Sequence, residues 1–406
     1  MSQPLKKLWN NELTMQLGSQ LLRLLIFSTD PKFSGLARLP KMLKATGFEV
    51  AALCLPTAFL AKTRYLDRHF PLAQTLDSAK LLKQLVNAIQ IWQPTLVIYG
   101  DEVAVAFGQH VIQCASQFSG LLPDDALKLL KSSLGTPQFF AATLLKHETL
   151  MVAHKLGLRA PAMTLVSSPE TGLQFAEKVG YPVVLKKDFS WSGAGVSICQ
   201  NRDELLSSLQ NFLPRSVSPL KASIQQLLRR TWFPTGKVLS LQQFILGRTA
   251  MYPLVALDGE VLAGFAAVKE LTCSETGPSS VIRIIDHAEM QNTAKALIKQ
   301  FQFTGFASFD FLIEEKTGQA YLVECNPRPV PVCHLGALVG IDLGQSLWSR
   351  LRGETWNPPL KEPQEQLVAL FPQEWKRDPS SPNLHQIYHD VPWDDPELLR
   401  AYVGKG

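Results

Sequence analysis

Cysteine pairs are missing from this chain. Its six cysteines, Cys54, Cys114, Cys199, Cys273, Cys325 and Cys333, form no C-x-x-C, and no histidine stands at zinc spacing from them. No zinc site is expected, and a reducing, cytoplasmic setting fits. Long apolar runs are missing too. The stretch 21–27 is interrupted by Arg23 and is far too short to cross a bilayer, so it reads as a first core strand and no membrane partner is expected. Strong charge of either sign is absent. The net charge is +5, and the one compact basic spot, Arg229–Arg230, is not interleaved with aromatics, so no nucleic-acid partner is expected. There is no internal repeat, and residues 356–406 carry no motif. With 46% hydrophobic and 18% charged residues, the 406-residue chain is globular material too long for one core. Two or three packed units are expected.

What is present concentrates at 309–329, FDFLIEEKTGQAYLVECNPRP. Two short apolar strands are joined by a polar turn at 316–318. Glu324 and Asn326 are two apart and point to one face of the second strand. Asp310 lies between Phe309 and Phe311 and faces opposite to both rings. If the strands pair, two carboxylates and an amide oxygen converge, an incomplete all-oxygen set that suits Mg²⁺. Without a cation, burying both carboxylates would cost several kcal/mol. Cys325 should face the other side, into packing. Arg328 follows beside the cluster.

The rest of the chain frames this hairpin. Strands at 24–28, 48–54 and 95–99 alternate with helices near 35–46 and 78–92, which predicts a parallel sheet with covered faces. Ligands of such sheets sit beyond the carboxyl ends of strands. Asp101 and Glu102 lie at such an end, where they either face a site or cap the following helix. Turn-rich residues 120–138 mark the boundary of this Rossmann-like unit, 1–135. A helix is expected from about 139 to 156, ended by Gly157. A strand at 162–166 and a helix at 169–179 follow. Residues 181–199 read as strand, glycine loop, strand. There Gly193 and Gly195, after Lys186–Lys187, let backbone amides approach an anion. Next come a strand at 238–245, a hairpin of 251–257 and 260–268 turned at Asp258-Gly259, and a helix near 287–301. Arg283, alternating with apolar neighbours, either binds a substrate carboxylate or makes a structural salt bridge.

This order of features resembles the ATP-grasp superfamily of ATP-dependent ligases, over about 137–344. The resemblance implies a fold of mixed class: a parallel α/β domain, then an ATP-grasp domain at 136–355 made of two α+β subdomains, then a C-terminal extension at 356–406. The nucleotide-lid subdomain would span about 160–245 and the metal-site subdomain about 246–355. In the motif LLKHETLMVAHKLGLRAP, Lys146 is implied to reach the ATP phosphates. In YPVVLKK the family pattern picks Lys186, where periodicity does not choose between it and Lys187. SWSGAGV resembles the glycine loop over the phosphates, with Ser192, Gly193 and Gly195. LQQFILG resembles the hinge that holds adenine, with Gln242 facing the base and Gln243 and Ile245 giving backbone contacts. Asp310, Glu324 and Asn326 are the implied ligands of Mg²⁺, or Mn²⁺, and Arg328 stands near the transferred phosphoryl. The chain departs from the pattern after the hinge glycine, where Arg248-Thr249 replace the usual acidic ribose contact. The implied chemistry is phosphoryl transfer from ATP to a carboxylate, with an amine capturing the acylphosphate. An ATP-dependent carboxylase acting on bicarbonate, or a degenerate nucleotide-binding regulatory protein, are the alternatives. The partners implied are small-molecule carboxylate and amine substrates, and a homodimer is compatible. Residues 330–336, including His334, should line the acceptor pocket.

Overall fold

The computed structural model of the protein describes residues 21–75, 77–188, 195–212, 238–274, 277–356 and 365–404. These form three sheets. The first holds β1 (Arg23–Phe27), β2 (Glu49–Cys54), β3 (Arg68–Pro71) and β4 (Leu96–Tyr99), all parallel, in the order β3-β2-β1-β4. Its inner strands are apolar on both faces, the pattern of a sheet covered on both sides. Leu25 and Phe27 pack with the helices Ser78–Trp92 and Glu102–Gln113. Leu24 and Ile26 face the other way, into a core shared with the helix Leu39–Ala45 and with residues of the largest sheet such as Val255, Ile282 and Phe306. That shared core joins the first unit to the site-bearing one. β3 was not readable in advance, because RHFP presents exposed Arg68 and Pro71 rather than an apolar run.

The second sheet is antiparallel, with β5 (Met163–Leu165), β6 (Val183–Lys187), β7 (Val196–Cys199) and β8 (Leu239–Gln243) in the order β5-β8-β6-β7. Val183, Leu185, Leu239 and Leu241 face a small core closed by the helices Pro169–Val179 and Arg202–Phe212.

The third sheet has eight strands: β9 (Gly247–Leu257), β10 (Glu260–Gly264), β11 (Ala266–Thr272), β12 (Ser279–Ile285), β13 (Gly305–Glu314), β14 (Ala320–Asn326), β15 (Gln366–Leu370) and β16 (Tyr388–Asp390). Its order is β14-β13-β9-β11-β12-β15-β16, with β10 on β9. The expected turn at Asp258-Gly259 has φ of 49° and 79°, the left-handed pair of a tight hairpin. The single strand expected at 260–268 is instead two, interrupted at Phe265, which buries its ring in the shared core. The helix expected at 139–156 also breaks. Leu145 adopts an extended conformation (φ −98°, ψ 120°) between the helices Phe140–Leu144 and Lys146–Lys155. The C-terminal segment does not stand apart: β15 and β16 lengthen the third sheet beyond β12.

Candidate active site

The hairpin pairs as its alternation requires. Asp310 on β13 stands directly opposite Glu324 on β14, and Ser308 opposite Asn326. Phe309 and Phe311 are fully buried in the core on the other face, and Cys325 packs against that same core. The pairing shifts register just after Asp310. Burial pushes the Asp310 carboxyl well above the usual carboxylate range, and the neighbouring Glu324 charge pushes it further. Burial also opposes ionisation of Glu324, but Lys146 and Lys186 outweigh it and hold its pKa down.

Two lysines arrive from different sheets and helices. The break at Leu145 starts a new helix at Lys146, and its Nζ lies 2.9 Å from Glu324 Oε2. Lys186 pairs in register with Ser240, and Val184 with Gln242. These four share the face of the second sheet opposite its apolar core, whereas Lys187 pairs with the core residue Leu239. That settles which lysine faces the acids. Burial pushes Lys186 down to about 8, and it is within electrostatic reach of Glu324, Lys146 and Asp310. Beside Lys146, the buried His147 shares a very short hydrogen bond with buried Asp188, so the helix start is tied to the residue that follows β6. Gln242 is buried on this same face, and the Gln243 amide donates to Ala162 O at 2.8 Å. Ile245 is buried in the hinge. Gly195 accepts from the Lys187 amide at 2.8 Å, while Ser192 and Gly193 lie outside the described residues.

On the far side of the acids, the first unit supplies a second wall. Asp101 caps the helix Glu102–Gln113 by accepting from the Ala104 amide at 2.9 Å. It also accepts from Ser28 Oγ at 2.8 Å, Thr29 N at 2.6 Å, Thr29 Oγ1 at 3.0 Å and Asp30 N at 3.1 Å, which pins the loop after β1. So Asp101 is structural, and Glu102 is the one that faces the site. Its Oε1 lies 2.5 Å from Arg328 Nη2. The Arg328 guanidinium sits 4.8 Å from the Phe33 ring centroid, and its Nη1 donates to Pro329 O at 3.1 Å. Lys269 on β11 completes the wall: its charge opposes the rise of the Asp310 pKa. Sequence reasoning missed Lys269. The signal available was a lysine following the apolar run FAAV, on the strand face of Ala267. His334 Nε2 donates to Asp390 Oδ2 at 2.9 Å, and Asp390 Oδ1 lies 2.6 Å from Arg38 Nη2.

Two carboxylates in register, an amide two residues on, and lysines beside them fit a hard divalent cation that shares its shell with phosphate oxygens. The strain of unneutralised acids at Asp310 is the property such a cation would relieve.

Comparison with known proteins agrees with this geometry. Residues 146–228 match the family model described as carbamoyl-phosphate synthase L chain, ATP binding domain. The Thermus thermophilus carbamoyl phosphate synthase large chain is 27% identical over 175 residues, 43% of this chain and 16% of that protein. The Acidobacterium capsulatum one is 23% identical over 297 residues, 71% of this chain and 26% of that protein. The chain thus spans about a quarter or less of these relatives. Among solved structures, biotin carboxylase from Campylobacter jejuni superposes with a TM-score of 0.62 at 14% identity, covering 88% of this chain and 75% of that one. N5-carboxyaminoimidazole synthetase from Staphylococcus aureus gives 0.58 at 11%, covering 86% and 83%. An L-amino acid ligase from Bacillus licheniformis gives 0.53 at 16%, covering 82% and 75%. The chain has the fold of these proteins, the ATP-grasp fold.

Arg283, the candidate for a substrate carboxylate or a structural salt bridge, does not stand beside the reacting groups. Its neighbours Ile282 and Ile284 point into the shared core, on the Met251 side of the sheet where Asp310 also stands, so Arg283 projects from the opposite face. There it bonds Glu270 Oε1 at 2.7 Å and Glu365 Oε2 at 3.1 Å. The salt-bridge alternative is the one realised. After Gly247, Arg248 and Thr249 pair with Ile313 and Leu312 at the start of β9, and Arg248 is exposed. No helix among the described residues is long and apolar enough to cross a membrane.

Proposed function

We propose that the chain is an ADP-forming ligase that activates a carboxylate as its acylphosphate and transfers the acyl group to an amine. One observation carries this reading: Lys146 and Lys186 converge with Asp310, Glu324 and Asn326 on one spot, with Lys269 and Arg328 on its far side. Phosphoryl transfer needs positioning and charge neutralisation more than covalent catalysis, and this is a site of that kind. Asp310, Glu324 and Asn326 would hold Mg²⁺ or Mn²⁺, which neutralises phosphate charge when bound. Lys146 and Lys186 hold the phosphates of ATP from the side of the second sheet. Gln242, Gln243 and Ile245 line the adenine side, and Ser192, Gly193 and Gly195 cover the phosphates. Lys269 and Arg328 hold the acid substrate and meet the charge that develops on the moving phosphoryl group. No nucleophilic side chain is required.

The domain division that fits this assignment is a Rossmann-like unit at 1–135, an ATP-grasp domain at 136–355 and a C-terminal segment at 356–406 whose strands join the third sheet. The partners are small-molecule acids and amines, in a cytoplasmic setting, with a homodimer compatible. A screen of carboxylic acids with ATP, Mg²⁺ and hydroxylamine tests the reading. Hydroxamate should form with one acid class, together with ADP and phosphate. AMP and pyrophosphate as stoichiometric products would overturn it.

A second reading, with bicarbonate as the activated acid, is favoured by the similarity to carbamoyl phosphate synthase large chains and to biotin carboxylase. Release of ADP that depends on bicarbonate, with no other acid added, would select it. Binding of ATP with no turnover under either condition would select a regulatory protein with a degenerate site.

A further inference from the structure

We infer that Glu102 receives the nucleophile, and that the nucleophile is an amine that arrives as its ammonium ion. This rests on the ligase reading above and names the substrate class of its second half-site. Of the carboxylates around the site, Asp188 is committed to His147, and Asp310, Glu324 and Asp101 are committed too. Asp310 and Glu324 face each other across the hairpin. Asp101 accepts five hydrogen bonds, from Ser28, Thr29, Asp30 and Ala104. Glu102 has one side-chain partner among the described residues, Arg328, whose Nη2 lies 2.5 Å from its Oε1.

The location is that of a ligand site. The first sheet reverses its strand order between β1 and β4, and Glu102 follows the carboxyl end of β4. Ligands of open parallel sheets bind in the crevice at that point. The Glu102 side chain retains 21% of its exposure, while that of Arg328 retains 14% and the Arg328 Nε is buried with no partner. Arg328 also has more anions than it needs, since Asp101 and Asp310 act on it as well as Glu102. A cation entering the crevice can therefore bind Glu102 without leaving Arg328 uncompensated. An anionic nucleophile would instead face Glu102 and Asp101 together.

The step balances as follows. The ammonium held by Glu102 loses one proton to water and becomes the neutral amine. Its lone pair forms the C–N bond as the C–O bond of the acylphosphate breaks. The second proton leaves with the phosphate, so that R–CO–OPO₃²⁻ and R′–NH₃⁺ give R–CO–NH–R′, HPO₄²⁻ and H⁺. No oxidant or further reactant is needed.

The test uses the full chain with the acid found by the hydroxamate screen. Hydroxylamine is mostly neutral at pH 7, whereas ammonium chloride, ethanolamine, glycine and β-alanine each present an ammonium group there, the last two as zwitterions, so the two classes probe the site with and without the ammonium charge. Amide formation and hydroxamate formation are measured for the wild-type protein, Glu102→Gln and Glu102→Asp, each checked by thermal melting. In Glu102→Gln the ratio of amide to hydroxamate should fall at least about ten-fold, through a raised KM for the amine, the size expected for loss of a charge-assisted hydrogen bond. Glu102→Asp, which keeps the charge, should recover part of that loss, and it is read alone if the glutamine variant does not fold. Equal loss of amide and hydroxamate would mean that Glu102 only seats Arg328, and would overturn the inference. So would wild-type hydroxamate formation with no amide from any of the four amines. No hydroxamate from the wild-type protein would overturn the ligase reading itself, and this inference with it.

Discussion

The two walls of the site are built in different ways. On the nucleotide wall, the charged groups are marked within their own elements. Asp310 and Glu324 break apolar strands, Lys186 follows the apolar run of one, and Lys146 opens a helix. On the acceptor wall the groups come together only through distant contacts. Glu102 meets Arg328 across 226 positions by number, and Arg38 meets Asp390 across 352. A local interruption can be read along the chain. A partnership between units cannot, because neither partner looks out of place where it stands.

The sharpest way to break this comparison is Glu324→Gln on the nucleotide wall. The substitution removes one oxygen ligand charge and the partner of Lys146. ATP turnover should fall by at least about 100-fold, the loss typical of removing one preorganised charge from a transition state. ADP release measured across a Mg²⁺ titration checks this. Normal turnover with an unchanged Mg²⁺ requirement would remove the hairpin from the site.

On the acceptor side the largest effect should be on stability. Asp390 joins Arg38 from the first unit and His334 from the segment after Arg328, and its side chain is only 5% exposed. Burial opposes its ionisation, but the His334 and Arg38 charges hold its pKa below the usual range. Asp390→Asn leaves Arg38 buried and without its charge partner, which should cost about 3 kcal/mol. Urea unfolding of the variant reads this directly. A loss under about 1 kcal/mol would mean that the C-terminal strands dock without this contact.

Much of the fold was legible for the same local reason that the nucleotide wall was. The helices Ser78–Trp92, Pro169–Val179 and Ala288–Phe301 follow from apolar spacing and clear end signals. The turn at Asp258-Gly259 follows from its dipeptide. The break at Leu145 was not legible, since LLKHE carries no glycine or proline to announce it. Nor were β15 and β16: QLVAL is apolar, but nothing in it says which sheet edge it will join. Asp101 and Glu102 were recognised as a pair at a strand end, but their roles separated only when the loop after β1 and Arg328 came into place.

The pair His147–Asp188 gives a smaller, pH-dependent effect on the nucleotide wall. The hydrogen bond that His147 donates to Asp188 raises the His147 pKa above its ordinary 6.5, against the opposing pull of burial. A raised folded-state pKa gives stability that is fully present below the unfolded value and is lost as pH rises through the folded one. His147→Gln should therefore destabilise the protein more at pH 6 than at pH 9, by about 1 kcal/mol. Melting curves of both proteins at the two pH values test the sign. An equal penalty at both would mean the histidine is held neutral.

The smallest effect is expected at Arg283, and it separates a charged residue near the site in sequence from one in the site. Arg283 stands on β12, one strand from β11 and its Lys269, so distance along the sheet alone would place it close to the chemistry. Its face excludes it. Its alternation partners Ile282 and Ile284 occupy the shared core, and its guanidinium meets Glu270 and Glu365 on the other side, with its own side chain 32% exposed and that of Glu365 63%. Exposed pairs of this kind contribute between about 0 and 1 kcal/mol. Arg283→Ala should lower stability by no more than that and leave ATP turnover within about two-fold, since no interaction with reacting groups is lost. Lys269→Ala, one strand away on the opposite face, should lower turnover far more, by about ten-fold or greater, because its charge acts on Asp310. Steady-state assays of the two variants side by side decide whether sheet face or strand proximity assigns a residue to this site. Equal losses in both would mean that Arg283 reaches the substrate after all.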